Sequence, residues 1–199
     1  MKYTATAVQL ALRSGFVAVQ GFDPARFAAN FDHTEALLRR LAGETGSQLY
    51  LLPEFSFQGW AMGVPLEHWN AAAVRIPGPE TDRIGRLARE LGAYVAGTLF
   101  ESIPEFPGRH FLTGFVIAPS GELVLRYRKL YAFSAKTRPG DVYGRWIGLF
   151  GRESLFPVVD TPLGRLGMMI AWDAQFPEVA RALALRGADV ILHPLGSGR

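Results

Sequence analysis

Short apolar runs alternate along this chain with amphipathic stretches that begin at proline and stop at glycine, and this alternation constrains the fold more than any other feature. An apolar run too short to be a helix is buried most economically as a strand, and a helix with one apolar stripe covers such a strand. Residues 4–12 (TATAVQLAL), 47–53 (SQLYLLP) and 94–100 (YVAGTLF) read as strands. Between them, 24–43 places Phe27, Phe31, Ala36, Leu37 and Leu41 at helical spacing, and 79–91 forms a second helix stopped by Gly92. Residues 111–118 and 122–129 are joined by Pro119-Ser120-Gly121, which makes them a hairpin. A second hairpin spans 155–160 and 165–171, followed by a proline-started helix over 177–187 and a last strand over 189–194. Strands and helices in this order predict an α/β layered fold with helices on the sheet faces.

With 199 residues, 49% of them hydrophobic and 20% charged, the sequence reads as a single domain over 1–199, with no internal repeat. It has no apolar run long enough to span a bilayer, and MKYTATAVQLAL lacks the pattern of a signal peptide, so a cytoplasmic protein with no membrane partner is expected. The net charge of +3 is small and the arginines are scattered, which argues against a nucleic-acid partner. Residues 130–152, rich in aromatics, glycine and arginine, read as a long surface loop. The chain ends in HPLGSGR directly after what reads as a central strand, so the C-terminal part of the domain is expected to be missing.

The segment 167–178, GMMIAWDAQFPE, runs from a buried strand through a polar turn into a proline-started helix. Such a bend is where α/β enzymes display a nucleophile, because free N–H groups of the following helix face whatever reacts there. Here the bend carries Ala171, and the chain contains no cysteine at all, which excludes disulfides, zinc–thiolate sites and thiol chemistry in the sequence as written. Two further strand ends deliver chemistry: Glu54 follows LYLLP and Lys129 follows LRYR. His33, His68, His110 and His193 show no metal-ligand spacing, and the glycines form neither a Walker loop nor a GxGxxG element, so no metal and no cofactor are implied.

Five segments in order, AVQL at 7–10, LLPEFSFQGW at 51–60, GTLFE at 97–101, GFVIAPSGELVLRYRKLY at 114–131 and GMMIAWDAQFPEVARALALRGADVILHP at 167–194, resemble the nitrilase, or carbon–nitrogen hydrolase, superfamily. The resemblance implies a four-layer α-β-β-α sandwich and assembly into homodimers or larger oligomers. It implies thiol acylation of a small amide, ureido compound or nitrile, in which a Glu is the general base, a Lys stabilises the oxyanion and a Cys attacks carbon. Carried over to this chain, Glu54 is the base, Lys129 the cation, and the nucleophile position falls on Ala171. The backbone N–H of Trp172 completes the oxyanion site, the Trp172 side chain being structural. Phe55, Tyr131 and Asp141 are the candidate substrate contacts, and Trp60, Phe133, Tyr143 and Trp146 are further candidate pocket walls.

Three departures from the family pattern matter. Alanine supplies neither thiol nor hydroxyl, so this chain is not expected to form an acyl-enzyme. The loop AFSAKTRPGDVYG lacks the Glu that many members place there, leaving Asp141 as the nearest carboxylate, and the strand HFLTGF lacks the Asn that members often carry. Two readings follow: a hydrolase whose nucleophile has been replaced within an intact bend, or a natural non-catalytic homologue that binds a small molecule or a partner protein. Asp173 and Phe176 are read as packing the turn, Glu178 as an acid favouring the dipole of its helix, and His193 as a satisfied histidine at a strand end.

Overall fold

The structure is a computed structural model that describes residues 2–11, 13–17, 21–132 and 137–196. Its first sheet has five strands: β1 (Ala5–Ala7), β4 (Leu49–Leu51), β5 (Tyr94–Glu101), β6 (Phe111–Ile117) and β7 (Leu123–Arg128), adjacent in the order β1-β4-β5-β6-β7. The pairs β1–β4 and β4–β5 are parallel, whereas β5–β6 and β6–β7 are antiparallel. Strands β1, β4, β5 and β7 therefore point the same way and finish along one edge of the sheet. A two-stranded ribbon, β2 (Phe16–Val17) with β3 (Gly21–Phe22), precedes the first long helix.

Helix α1 (Pro24–Thr45) starts where Asp23 accepts hydrogen bonds from the N–H groups of Ala25 and Arg26. The expected stop at Gly43 is not used. Helix α1 runs on to Gly46, whose φ of 57° is the left-handed cap that glycine adopts without a side-chain clash. A short helix, α2 (Leu66–Ala71), is followed by α3 (Pro79–Leu91), which matches its expected limits and ends at Gly92 with φ 61°. Helices α1 and α3 bury Phe31, Leu38, Ile84, Leu87 and Ala88 against Val95, Leu99, Phe115 and Ile117 of the first sheet. Each of the Phe, Leu, Ile and Val side chains contributes roughly 1.5–3 kcal/mol on leaving water.

Alternate residues of the same strands face the other way. Ala96, Phe100, Leu112, Val116 and Tyr127 pack against Leu166, Met168, Ile170 and Leu192. Leu166, Met168 and Leu192 belong to a second sheet, ordered β10-β9-β8, made of β8 (Val158–Thr161), β9 (Gly164–Met168) and β10 (Val190–Leu192), and Ile170 lies just past the end of β9. The sheets approach so closely at Gly114 that a Cβ there would overlap Met168. Helix α5 (Pro177–Leu185) covers the far face, burying Val179 and Leu183, and a Cβ at Gly167 would lie 3.1 Å from Leu183. Helix, sheet, sheet, helix is the four-layer α-β-β-α sandwich expected.

Several local expectations are corrected. The first strand covers Ala5–Ala7 rather than 4–12. Residues 130–152 are not a surface loop throughout: a 3-10 turn (Pro139–Val142) leads into α4 (Tyr143–Phe150), whose Trp146 is fully buried against Phe106 and Phe111. Arg128 holds α4 in place, with its guanidinium 5.6 Å from the ring centres of both Trp146 and Phe150 while Glu101 binds it from the other side. The polar turn after β9 is a 3-10 turn (Ala171–Gln175), and α5 begins at Pro177 as expected but ends at Leu185 rather than 187.

Candidate active site

Two of the three strand ends named from the sequence meet directly, and the third is linked to them through the segment after β10. Beyond β4, the N–H of Leu52 still pairs with Ala96, and the chain then turns so that Glu54 points inward, 2% exposed. Phe55, the next residue, has φ 65° and donates its N–H to Thr98 Oγ1 at 3.0 Å, which fixes this turn on β5. Beyond β7, the N–H of Lys129 pairs with Leu112, so its side chain continues the alternation that sends Tyr127 toward the second sheet. Lys129 Nζ donates to Glu54 Oε1 at 2.8 Å.

Strand β9 is prolonged past Met168 by Met169 N–H to Leu192 and Ala171 N–H to the Pro194 carbonyl, each 3.0 Å. Ala171 sits at φ 43°, in the left-handed region that disfavours residues with a Cβ. His193 Nε2 donates to the Ala171 carbonyl at 3.0 Å, so both backbone groups of the bend residue are held by the segment after β10. The same segment reaches Glu54, because Gly196 N–H donates to Glu54 Oε2 at 3.3 Å. His193 is thus hydrogen-bonded, as expected, and it anchors the bend.

Asp173 closes the circuit. It is fully buried and accepts from Tyr127 Oη (2.7 Å), Leu130 N–H (3.2 Å), Tyr131 N–H (2.8 Å) and Ile170 N–H (2.9 Å). From the sequence Asp173 reads as turn packing, and the structure gives it these partners in addition. A carboxylate directly after an apolar strand is the available signal, but three of its four partners lie more than forty positions away. Burial pushes the carboxyl groups of both Glu54 and Asp173 up from their ordinary values, with Lys129 pulling each back down.

The candidate substrate contacts divide between two places. Tyr131 stacks on Phe176 with ring centres 3.6 Å apart, and with Arg138, Asp141 and Tyr143 it lines a pocket of about 350 Å³ next to the Lys129 strand end. Asp141 binds the guanidinium and N–H of Arg138. Glu54, Lys129 and Ala171 are not among that pocket's lining residues. Phe55 instead packs on Trp60 (5.1 Å) and Phe100 (5.7 Å). Trp146, offered as a pocket wall, is a core residue, and Phe133 lies outside the described residues. Trp172 is 45% exposed at the turn.

The chain is thus a four-layer α-β-β-α sandwich that holds a buried carboxylate–ammonium pair and a strained strand-to-helix bend. The carbon–nitrogen hydrolase family matches residues 4–198, and the chain belongs to that family. It is 34% identical over 160 residues to a formamidase of Bacillus cereus (strain Q1), a match covering 78% of this chain and 43% of the relative. A carbon–nitrogen hydrolase from Helicobacter pylori G27 has the same fold with a TM-score of 0.71 at 19% identity, over 98% of this chain and 60% of that one. An amidase from Nesterenkonia sp. AN1 gives 0.67 at 25% identity, over 96% and 66%. The chain thus spans less than half the length of the formamidases it matches.

Proposed function

We propose that the site is built for hydrolysis of small carboxamides by a Glu–Lys–Cys mechanism, and that Ala171 leaves this chain without its nucleophile. The observation that carries the reading is the buried Lys129–Glu54 pair, tied to the bend through residues 194–196. With a thiol at 171, Glu54 accepts its proton as sulfur bonds to the carbonyl carbon. The oxyanion forms beside Lys129 and the N–H of Trp172. Collapse breaks the C–N bond and ammonia departs with the proton from Glu54. Water, deprotonated by Glu54, then cleaves the thioester to release acid and thiol. The formamidase and amidase relatives favour amides over ureido compounds and nitriles as substrates.

Introducing Ala171→Cys and assaying ammonia release from formamide, acetamide, a ureido compound and a nitrile tests this. Release from the amides, absent in the parent and in the Ala171→Cys/Glu54→Gln chain, is the expected result. Silence across the panel from a chain with an unchanged circular dichroism spectrum overturns it.

A second reading draws on the absence of any cysteine and of a Glu in 131–152: a non-catalytic homologue that binds a small amide, an acid or a partner protein. Under that reading the parent chain binds amides by calorimetry while Ala171→Cys adds no turnover. The family resemblance further suggests a cytoplasmic homodimer or larger assembly, which sedimentation velocity tests for the oligomer.

A further inference from the structure

Asp173 accepts four hydrogen bonds, and their distribution is specific. Oδ1 takes the N–H groups of Leu130 and Tyr131, the two residues after Lys129. Oδ2 takes the hydroxyl of Tyr127, two residues before Lys129, and the N–H of Ile170, the residue before the bend. One carboxylate therefore brackets Lys129 from both sides and fastens that bracket to the bend.

All four donors are neutral, and the group is fully buried. Burying a carboxylate to satisfy neutral donors costs more than burying an amide or hydroxyl, so turn capping alone does not account for it. Acceptor capacity does. A carboxylate offers two oxygens and about four lone-pair sites, whereas Asn offers one oxygen and turns two donors toward the remaining partners. Of these candidates, only a carboxylate accepts all four donors.

From this geometry we propose that Asp173 is the positioning residue that sets Lys129 against the bend, a role that rests on reading Lys129 as the oxyanion-stabilising cation. Asp173 touches neither substrate nor reacting atoms; it acts through the backbone of residues 130 and 131 and the side chain of Tyr127. Its negative charge also faces Lys129 in the same buried space as Glu54.

A thiol placed at the bend reads this without any turnover. In the Ala171→Cys chain, the pH dependence of iodoacetamide alkylation gives the thiol pKa in a setting that includes Glu54, Lys129, Asp173 and His193. Lys129→Met removes a nearby cation and raises that pKa. If Asp173 positions Lys129, Asp173→Asn raises it too and slows alkylation at neutral pH on the order of tenfold, one unit of pKa being a factor of ten in thiolate. The double variant then goes no further than Lys129→Met alone. A role through charge or packing alone gives the other result, because losing a neighbouring negative charge lowers the thiol pKa or leaves it in place. A fall or no change in Asp173→Asn, beside a rise in Lys129→Met, overturns the role of Asp173. No change in Lys129→Met overturns the reading of Lys129 instead. Should Asp173→Asn fail to fold, Tyr127→Phe removes one of the four donors and is expected to shift the thiol in the same direction by less; an unmoved thiol there counts against the proposal.

Discussion

Lys129 Nζ lies 2.8 Å from Glu54 Oε1 across 75 positions of sequence, with both side chains almost wholly withdrawn from water. Removing one partner of such a pair strands the other in a medium that solvates it poorly. Lys129→Met is therefore expected to destabilise the chain by about 3–5 kcal/mol at alkaline pH. The loss shrinks as pH falls, because Glu54 then takes up a proton. Urea unfolding across pH checks both statements, and a pH-independent loss contradicts the second.

Glu54 alone sets a further slope. Burial holds its folded-state pKa above the ordinary 4.5, despite the opposing attraction of Lys129. The folded chain thus keeps a proton that the unfolded chain has released, so the stabilisation from Glu54 is fully present below about pH 4 and is lost as pH rises through the folded value. The stability of the parent relative to Glu54→Gln should fall from acid to neutral pH. A difference that grows over that range argues that Lys129, not burial, controls the group.

His110 behaves in the opposite sense. Desolvation lowers its pKa from 6.5 to about 4, while its Nδ1 lies 2.8 Å from Asn70 Oδ1. Its stabilisation is present above pH 6.5 and is lost as pH falls through the folded value. An NMR titration should find its ring proton shifts flat until close to pH 4; a midpoint near 6.5 contradicts this burial.

Much of this site is legible in the sequence because strand ends are local signals. LYLLPE, LRYRK and GMMIA each place one residue at the end of an apolar run, and α3 has its proline, its apolar stripe and its glycine in the expected places. What escaped depends on distant partners. Segment YGRWIGLF has neither a side-chain cap nor a proline start, and it becomes α4 because Trp146 finds Phe106, Phe111 and Arg128. Gly43 looked like a stop, yet the helix passes through it, since only Gly46 takes the left-handed conformation. Asp173 has partners on β7 and just beyond it, which no window around the bend contains.

Trp146 gives a stability test of α4. Its indole is fully buried, stacks on Phe106 at 5.6 Å and donates to Ser154 Oγ at 2.9 Å. Trp146→Ala should cost about 3–5 kcal/mol, the range for truncating a large core aromatic. Thermal unfolding reads this, and a loss below about 1 kcal/mol means that α4 is not part of the cooperative core.

The bend itself stores strain that a glycine would release. Ala171 at φ 43° occupies the left-handed region, which costs a residue with a Cβ roughly 1–2 kcal/mol, while glycine in its place gives back about 0.5–1 kcal/mol through the greater freedom of the unfolded chain. Ala171→Gly should therefore stabilise the chain by up to about 1 kcal/mol. Ala171→Val, whose branched Cβ fits that conformation worse, should destabilise it. The strain persists because His193 and Pro194 grip the carbonyl and N–H of Ala171, so His193→Ala should shrink the gain from glycine. Urea unfolding of the single and double variants measures that coupling directly. If glycine destabilises the chain, residue 171 does not hold the left-handed conformation in solution.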